Sequence, residues 1–166
     1  MDIKPFLLRE DQIKEFYSHF LGWIDLFSEY SKSTINFFKK EWTEDIFKER
    51  ITDQIHLVLA VKVSDKPAGI LIAKRLEGGV FHCDYLIVDS KFQRKGIGRA
   101  LLSEWEQIAK KEGFHNIRME AEYLDLEFYK KCGFEVIGED KKGFYGTDNF
   151  ILKKLIQEPR EENFLK

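Results

Sequence analysis

The 166-residue sequence predicts an α/β fold, a mixed and mostly antiparallel sheet of seven strands with flanking helices. Three β-rich apolar runs between residues 55 and 88 are separated only by short turns, which is typical of an antiparallel meander. An amphipathic helical pattern over residues 98–111 then leads into another strand, as a crossover connection does. A short helix and two further strands complete the predicted sheet.

The expected strands cover residues 3–8, 55–63, 69–76, 80–88, 116–122, 134–138 and 149–155. Asp65 and Pro67 punctuate the turn before the third strand, and the glycines at 78 and 79 allow the positive φ of a tight hairpin. Residues 10–50 have aromatic side chains every three or four positions, which predicts two or three helices packed on one face. Another short helix is predicted over residues 125–131.

The composition fits one globular domain over residues 1–156: an aromatic-rich helical region at 1–53, a core at 55–155 and a loose polar tail at 157–166. A net charge of -2 excludes a general attraction to nucleic acid, and no apolar run is long enough to span a membrane. Two cysteines and four scattered histidines form neither a disulfide framework nor a zinc pattern. We therefore expect a cytoplasmic protein without a metal.

The segment Gln-Arg-Lys-Gly-Ile-Gly at residues 93–98 joins a predicted strand to a predicted helix. The first N–H groups of a helix are unpaired and carry partial positive charge, so phosphates bind there readily. Gly96 and Gly98 allow the backbone to approach a ligand without a Cβ between them. The cations around this point are Lys91, Arg94, Lys95 and Arg99. The pattern indicates a pyrophosphate site.

Two common nucleotide loops do not fit this segment. A P-loop requires Lys and Ser or Thr after its last glycine, but Arg99 and Ala100 follow Gly98. A dinucleotide loop requires a third glycine where Leu101 stands, and it follows a parallel strand rather than a meander. A dinucleotide or ATP enzyme is therefore the weakest alternative.

The segment matches the pattern Q/R-x-x-G-x-G/A, with "YLIV" before it and "GRALLSEWEQIAKK" and "FYKKCGF" after it. Together these stretches resemble the GNAT superfamily, the GCN5-related N-acetyltransferases, over residues 55–155. The resemblance implies the GNAT fold, acetyl-CoA as co-substrate and direct transfer of an acetyl group to a primary amine. It further implies that the strand ending at Val88 splays from residues 116–122 and that its backbone pairs with the pantetheine arm.

The cofactor-binding residues that the resemblance implies are Leu86, Ile87, Val88, Gln93, Arg94, Lys95, Gly96, Ile97, Gly98, Arg99, Glu122 and Lys131. Many family members have Asn seven residues and Ala four residues before the tyrosine of "FYKKCGF". Here those positions hold Glu122 and Asp125, so the contact of the family's Asn to CoA is in doubt. Asp125 is instead a candidate cap for the short helix.

Tyr129 corresponds to the family tyrosine that commonly protonates the departing thiolate, although packing alone would also explain it. His82, six positions before Val88, is the candidate base, with a strand histidine satisfied by the backbone as the alternative. Asp84 shares the face of His82 by strand alternation. Together with Glu120 and Glu122, it either holds a cationic amine or is solvated charge at a strand end.

Cys83 faces away from its neighbour His82 by the same alternation, which disfavours a Cys–His nucleophile and a covalent acyl-enzyme. The expected acceptor is a small-molecule amine or a protein N-terminus, with neither nucleic acid nor a membrane as partner. The resemblance is also compatible with a homodimer. The alternative from another class is a non-catalytic acyl-CoA-binding sensor or partner-binding module.

Overall fold

A computed structural model describes residues 3–165 and has one sheet in the order β1-β2-β3-β4-β5-β7-β6. The strands are β1 Phe6–Leu7, β2 His56–Val63, β3 Lys66–Arg75, β4 Val80–Val88, β5 Asn116–Ala121, β6 Glu135–Asp140 and β7 Asn149–Leu155. β4 and β5 are parallel, whereas β1 pairs with β2, and β7 with β5 and β6, in antiparallel fashion. The predicted mixed, mostly antiparallel α/β sheet is confirmed.

Six α-helices accompany the strands within these residues. They are α1 Ile13–Trp23, α2 Lys32–Glu41, α3 Glu44–Thr52, α4 Ile97–Lys111, α5 Leu126–Lys131 and α6 Glu161–Phe164. The hydroxyl of Ser31 accepts a hydrogen bond from the backbone of Thr34 at 3.2 Å, and that of Thr43 accepts from Ile46 at 3.2 Å. These caps start α2 and α3, so the helical segment predicted over residues 10–50 is divided into three helices.

The two turns of the meander differ from each other in how well the sequence predicts them. The glycines at 78 and 79 have φ of 67° and 75°, as expected for a tight hairpin. The assignment of Pro67 to the preceding turn is wrong, because Ser64 and Asp65 complete that turn with φ of 50° and 60°. β3 therefore begins at Lys66, three residues earlier than predicted.

The chain forms two compact units, and the first comprises the residues up to Ile72 together with Tyr85–Leu101. Its core is built from α1, α3 and the inner strands, and the aromatic rings of the N-terminal helices supply much of it. The fully buried members of this core include Phe16, Phe20, Ile24, Phe47 and Ile70. Core packing, which the aromatic spacing predicts, therefore accounts for most of these rings.

The second unit comprises Ala73–Asp84 and the residues from Leu102 onward. Its core includes Phe81, whose ring centroid lies 5.8 Å from Trp105 of α4 and 4.7 Å from Phe114. Buried residues on β5 and β7 extend this core through the paired strands. The unit thus contains the paired parts of the parallel strands β4 and β5, which the crossover helix α4 connects.

The C-terminal segment belongs to the second unit, and the expectation that it is loose is wrong. The Gln157 amide donates hydrogen bonds to the carbonyls of Lys110 at 3.1 Å and Phe114 at 2.6 Å. The Phe164 ring, on α6, lies 5.4 Å from the His115 ring. The Gln157 amide and the Phe164 ring therefore pack this polar segment against other residues of the second unit.

Candidate active site

The loop between β4 and α4 begins at Asp89, whose carboxylate connects the loop to Trp23 of α1. Trp23 Nε1 donates to Asp89 Oδ2 at 2.9 Å, and the backbone N–H of Lys91 donates to Oδ1 at 2.9 Å. Burial alone would raise the pKa of Asp89, but these two hydrogen bonds, together with the charges of Lys91 and His19, outweigh it and lower the pKa. An ionised carboxylate therefore fixes the start of the loop.

The backbone of the predicted phosphate loop enters the left-handed region at Arg94, with φ of 60°, and at Gly96, with φ of 90°. α4 starts directly afterwards, and the N–H of Ala100 donates to the Gly96 carbonyl at 3.0 Å. Gly96 is exposed, and a Cβ there would lie 3.7 Å from Ile3 Cδ1. An exposed chain reversal at a helix N-terminus is an anion-binding geometry.

Two side chains of the loop bond to the loop itself. Gln93 Nε2 donates to the Val88 carbonyl at 3.2 Å, and Lys95 Nζ donates to the Lys91 carbonyl at 3.0 Å. Arg94 and Arg99 are exposed. Side chains therefore shape this loop, while its N–H groups and the two arginines are the groups suited to an anion.

The side chains of Ile87 and Ile97 are buried, so only their backbone can meet a ligand. Gly69 on β3 allows this close packing: a Cβ there would lie 3.0 Å from Ile97 Cγ2 and 3.1 Å from the Ile87 carbonyl oxygen. Sequence analysis does not single out Gly69, because a glycine at a turn-like Pro-Ala-Gly stretch gives no sign of close packing.

In the second unit, β4 and β5 stop pairing after Cys83 and Met119. β4 continues to Val88 and β5 to Ala121, while β7 stays paired with β5 as far as Ala121. We call the end of this ladder the fork. The divergence of these strands beyond the fork, which the family resemblance implies, stays a prediction.

His82 lies at the fork and contacts carboxylates through both ring nitrogens. Its Nδ1 is 3.0 Å from Asp84 Oδ1, and its Nε2 is 2.7 Å from Glu120 Oε2. The three side chains are half-buried, with 23%, 33% and 31% of their surfaces exposed. The structure therefore brings together His82 and Asp84, as the alternation predicts, and adds Glu120 from β5 as a direct partner.

Burial lowers the pKa of His82, but the hydrogen bonds and charges of Asp84 and Glu120 outweigh it and raise the pKa to about 9. The ring is therefore a cation at neutral pH, with no free lone pair. The prediction that His82 is the base assumes the ordinary histidine pKa of 6.5. With the raised pKa, the neutral ring that can accept a proton becomes abundant only in the alkaline range.

Tyr129 lies on α5 and is buried, with 7% of its surface exposed. Burial raises the pKa of its hydroxyl well above 10.0, and the nearby Cys83, Asp125 and Glu122 raise it further. The phenol therefore keeps its proton, as a general acid must before it acts. Its neighbour Cys83 is buried and next to His82 in the strand, so the two side chains point to opposite faces.

The other residues predicted near the short helix have separate surroundings. Glu122 precedes a 3-10 turn at Tyr123–Asp125 and is close enough to Tyr129 to affect its pKa. Lys131 is exposed in the last turn of α5. Asp125 occupies the N-cap position without a capping side-chain bond, because the preceding 3-10 turn already gives it helical angles, with φ of -95° and ψ of -8°.

Neither a cluster of metal ligands nor a membrane-spanning helix occurs within residues 3–165. No group of three or more His, Cys, Asp or Glu side chains among these residues is arranged to hold a metal ion. No helix in this range combines the length and the apolar character needed to cross a membrane.

The sequence matches the family described as "Acetyltransferase (GNAT) domain" over residues 26–147, which is most of the chain. The chain belongs to the GNAT acetyltransferase family. The sequence resemblance covers residues 55–155, and this match also includes the helices α2 and α3. It also agrees with the loop at the start of α4 and with the fork.

Solved GNAT structures share the fold at low sequence identity. The PaiA N-acetyltransferase of Thermoplasma acidophilum, in complex with coenzyme A, is 22% identical, with a TM-score of 0.77 over 93% of this chain and 99% of its own. The ribosomal-protein-S18-alanine N-acetyltransferase of Escherichia coli is 18% identical, with a TM-score of 0.73 over 96% and 97%. An aminoglycoside 6'-N-acetyltransferase complexed with coenzyme A is 16% identical, with a TM-score of 0.71 over 96% and 99%.

Proposed function

We propose that this GNAT protein is an acetyl-CoA-dependent N-acetyltransferase that transfers an acetyl group directly to a primary amine. The observation that carries the proposal is the contact of His82 with Asp84 and Glu120 at the fork of β4 and β5. Two of the similar structures contain coenzyme A, which supports acetyl-CoA as donor.

The cofactor is assigned to the loop and the end of β4. The N–H groups around Gly96, Ile97 and Gly98 bind the pyrophosphate, and Arg94 and Arg99 add positive charge. The backbone from Leu86 to Val88 is the part of β4 beyond its pairing with β5, and it hydrogen-bonds the pantetheine amides as an added strand would.

The chemical steps are assigned to His82 and Tyr129. The amine nitrogen attacks the thioester carbonyl carbon, and its proton passes to neutral His82, either directly or through water. The C–S bond then breaks, and the thiolate takes the proton of the Tyr129 hydroxyl, which is regenerated from solvent. Asp84 supports the first step by attracting the amine in its ammonium form. No side-chain nucleophile takes part.

The acceptor is proposed as a class rather than a compound. A small-molecule amine or a protein N-terminus fits, and the names of similar structures include an aminoglycoside acetyltransferase and a ribosomal-protein alanine acetyltransferase. The negative charge of Asp84 and Glu120 favours acceptors that arrive as cations. A cytoplasmic location, as a monomer or homodimer, is part of the proposal.

The test is release of the CoA thiol over a panel of primary amines, with mass spectrometry of the acetylated product. We expect turnover with at least one cationic amine, and loss of most of that turnover when Tyr129 is replaced by Phe. Tight binding of acetyl-CoA, measured by a rise in melting temperature, without turnover on any acceptor would instead favour the non-catalytic acyl-CoA-binding module.

A further inference from the structure

Glu120 is the residue at the fork whose role the proposed reaction leaves open. It lies on β5, 38 positions from His82 in sequence, and its Oε2 is 2.7 Å from His82 Nε2. The opposite ring nitrogen is 3.0 Å from Asp84 Oδ1. The imidazole therefore bridges a carboxylate of its own strand and a carboxylate of the next strand, at the point where the backbone ladder ends.

We propose that Glu120 is a positioning residue for acetyl transfer: together with Asp84 it orients the His82 ring across the fork and holds it as a cation between turnovers, so that transfer is fastest in the alkaline range. The inference rests on the proposed function for its kinetic consequence. The charge and orientation of the His82 ring can be measured whether or not the protein turns over a substrate.

The geometry itself favours the cation. A neutral imidazole has one N–H and one lone pair, whereas the imidazolium has two N–H donors. With carboxylate oxygens at 3.0 and 2.7 Å from the two nitrogens, a neutral ring would direct its lone pair at a negative oxygen. Protonation turns that repulsion into a second charge-assisted hydrogen bond. The pKa of about 9 agrees with this argument.

The neighbouring strands of the second unit also carry cationic side chains. Arg118 is the register partner of His82 on β5, and Lys74 lies on β3. Lys153, opposite Arg118 on β7, forms an ion pair with Glu135 at 3.3 Å. The charged groups that raise the pKa of His82 are the two carboxylates in direct contact with the ring, Asp84 and Glu120.

The consequence for catalysis follows from the proton that His82 must lose before it can accept one. A base whose pKa is near that of an alkyl ammonium accepts the amine proton at little cost in free energy. At neutral pH, however, most His82 rings already carry a proton and cannot accept another. Removing the charge of Glu120 leaves the ring with one carboxylate partner. The ring then becomes neutral at a lower pH, and the alkaline requirement of the reaction is relaxed.

The experiment is an NMR titration of the full-length protein labelled with ¹⁵N-histidine, without substrates. The His82 signal is identified by its loss in the His82→Gln variant. We expect wild-type His82 to titrate near 9, and Glu120→Gln to lower that midpoint by about one to two pH units. Glu139→Gln, at an exposed position of β6, is the matched control and should leave the midpoint unchanged.

The kinetic readout is kcat/KM against pH for the wild type, Glu120→Gln and Glu139→Gln with the best amine of the panel. The rising limb should move to lower pH in Glu120→Gln only. A wild-type His82 midpoint near 6.5, or a midpoint that Glu120→Gln does not move, overturns the inference even if the enzyme is active. Absence of turnover with a shifted midpoint contradicts the proposed function instead.

A second variant guards against misfolding of Glu120→Gln, which circular dichroism would reveal. Glu120→Asp keeps the charge but withdraws the carboxylate from His82 by one methylene. It should lower the midpoint by less than Glu120→Gln and preserve the alkaline limb in part. An Asp variant that titrates at or above the wild-type midpoint would show that the contact with Glu120 does not set the charge of the ring.

Discussion

The loop at the start of α4 differs from the acid–base cluster at the fork, formed by His82, Asp84 and Glu120, in the part of the chain that carries its proposed role. The proposed role of the loop depends on its backbone, which has left-handed residues and ends at a helix N-terminus. One side chain, the carboxylate of Asp89, fixes the start of the loop. The cluster acts through side chains whose partners come from different strands. A change of side chain should therefore be tolerated at most loop positions, yet be costly at His82, Glu120 and Tyr129.

The contrast extends to electrostatics. The loop exposes its cations to solvent. In the cluster, partial burial lowers the pKa of His82, but the close carboxylates outweigh it and raise the pKa from 6.5 to about 9. We therefore expect cofactor binding to depend little on pH between 6 and 9, and acetyl transfer to depend on it strongly.

The largest effect is expected from Tyr129→Phe, which tests the side-chain half of the comparison. Removing the phenolic proton should lower kcat by about 100-fold, because general acid catalysis contributes at least that much. Steady-state kinetics and calorimetric titration of acetyl-CoA would measure the rate and the affinity separately. Tyr123→Phe removes the hydroxyl of an exposed tyrosine and serves as control. Equal turnover in the two variants would exclude Tyr129 as the acid.

Gly96→Ala tests the backbone half. The alanine must adopt φ of 90°, which strains the loop whose N–H groups are assigned to the pyrophosphate. We expect acetyl-CoA to bind about tenfold more weakly, which corresponds to ~1.4 kcal/mol. Gly78→Ala imposes a similar strain in a hairpin with open space and should leave binding unchanged. If both variants bind acetyl-CoA as the wild type does, the loop is not the phosphate site.

His82→Gln tests the charge of the cluster through stability. The folded pKa of about 9 lies above the ordinary 6.5, so the stabilisation is complete below pH 6.5 and is lost as pH rises through 9. The wild type should lose up to about 3 kcal/mol of unfolding free energy over this window. Urea titrations at pH 6 and 10 should show a smaller loss in His82→Gln, and an unaltered loss in the exposed-site control His19→Gln. Identical curves for all three proteins would contradict a raised pKa.

The smallest effect is expected from Asp89→Asn, at the entry of the loop. The lowered pKa means that Asp89 stabilises the fold above about pH 3.9 and ceases to do so as pH falls through its folded value. At pH 7 the variant should lose about 1 kcal/mol of unfolding free energy, measured by urea denaturation. Asp11→Asn, whose carboxylate is exposed, should lose less than half as much. Equal losses would show that the Trp23 contact does not stabilise the loop.

The contrast also explains which features the sequence alone can predict. The loop is local: its glycines, cations and following helix are contiguous, so the order of residue types is enough to assign residues 93–98. The boundaries of β4 and β7 are likewise predicted to the residue, because alternating and apolar runs with clear turns delimit them. The end of the turn at Ser64–Asp65 is not, because Pro67 is a strong turn signal and extends the predicted turn into β3.

The cluster depends on strand pairing between distant segments. The sequence places Glu120 among several acids near His82, but its direct contact follows from the register that sets His82 opposite Arg118. The charge of His82 depends on this distant contact together with the local contact to Asp84, so a local pattern alone could not indicate it. The packing of the C-terminal segment escapes prediction for the same reason, because Gln157 and Phe164 meet partners more than 40 residues away.

The most direct measurement of the account is kcat/KM of the wild-type protein from pH 6 to 10, with acetyl-CoA and the best primary amine, followed by thiol release. The account predicts a rate that rises with pH and levels off with an apparent pKa near 9, the value at which His82 becomes neutral. A profile that is flat or falls above pH 7, or the absence of turnover at every pH despite bound acetyl-CoA, would contradict it.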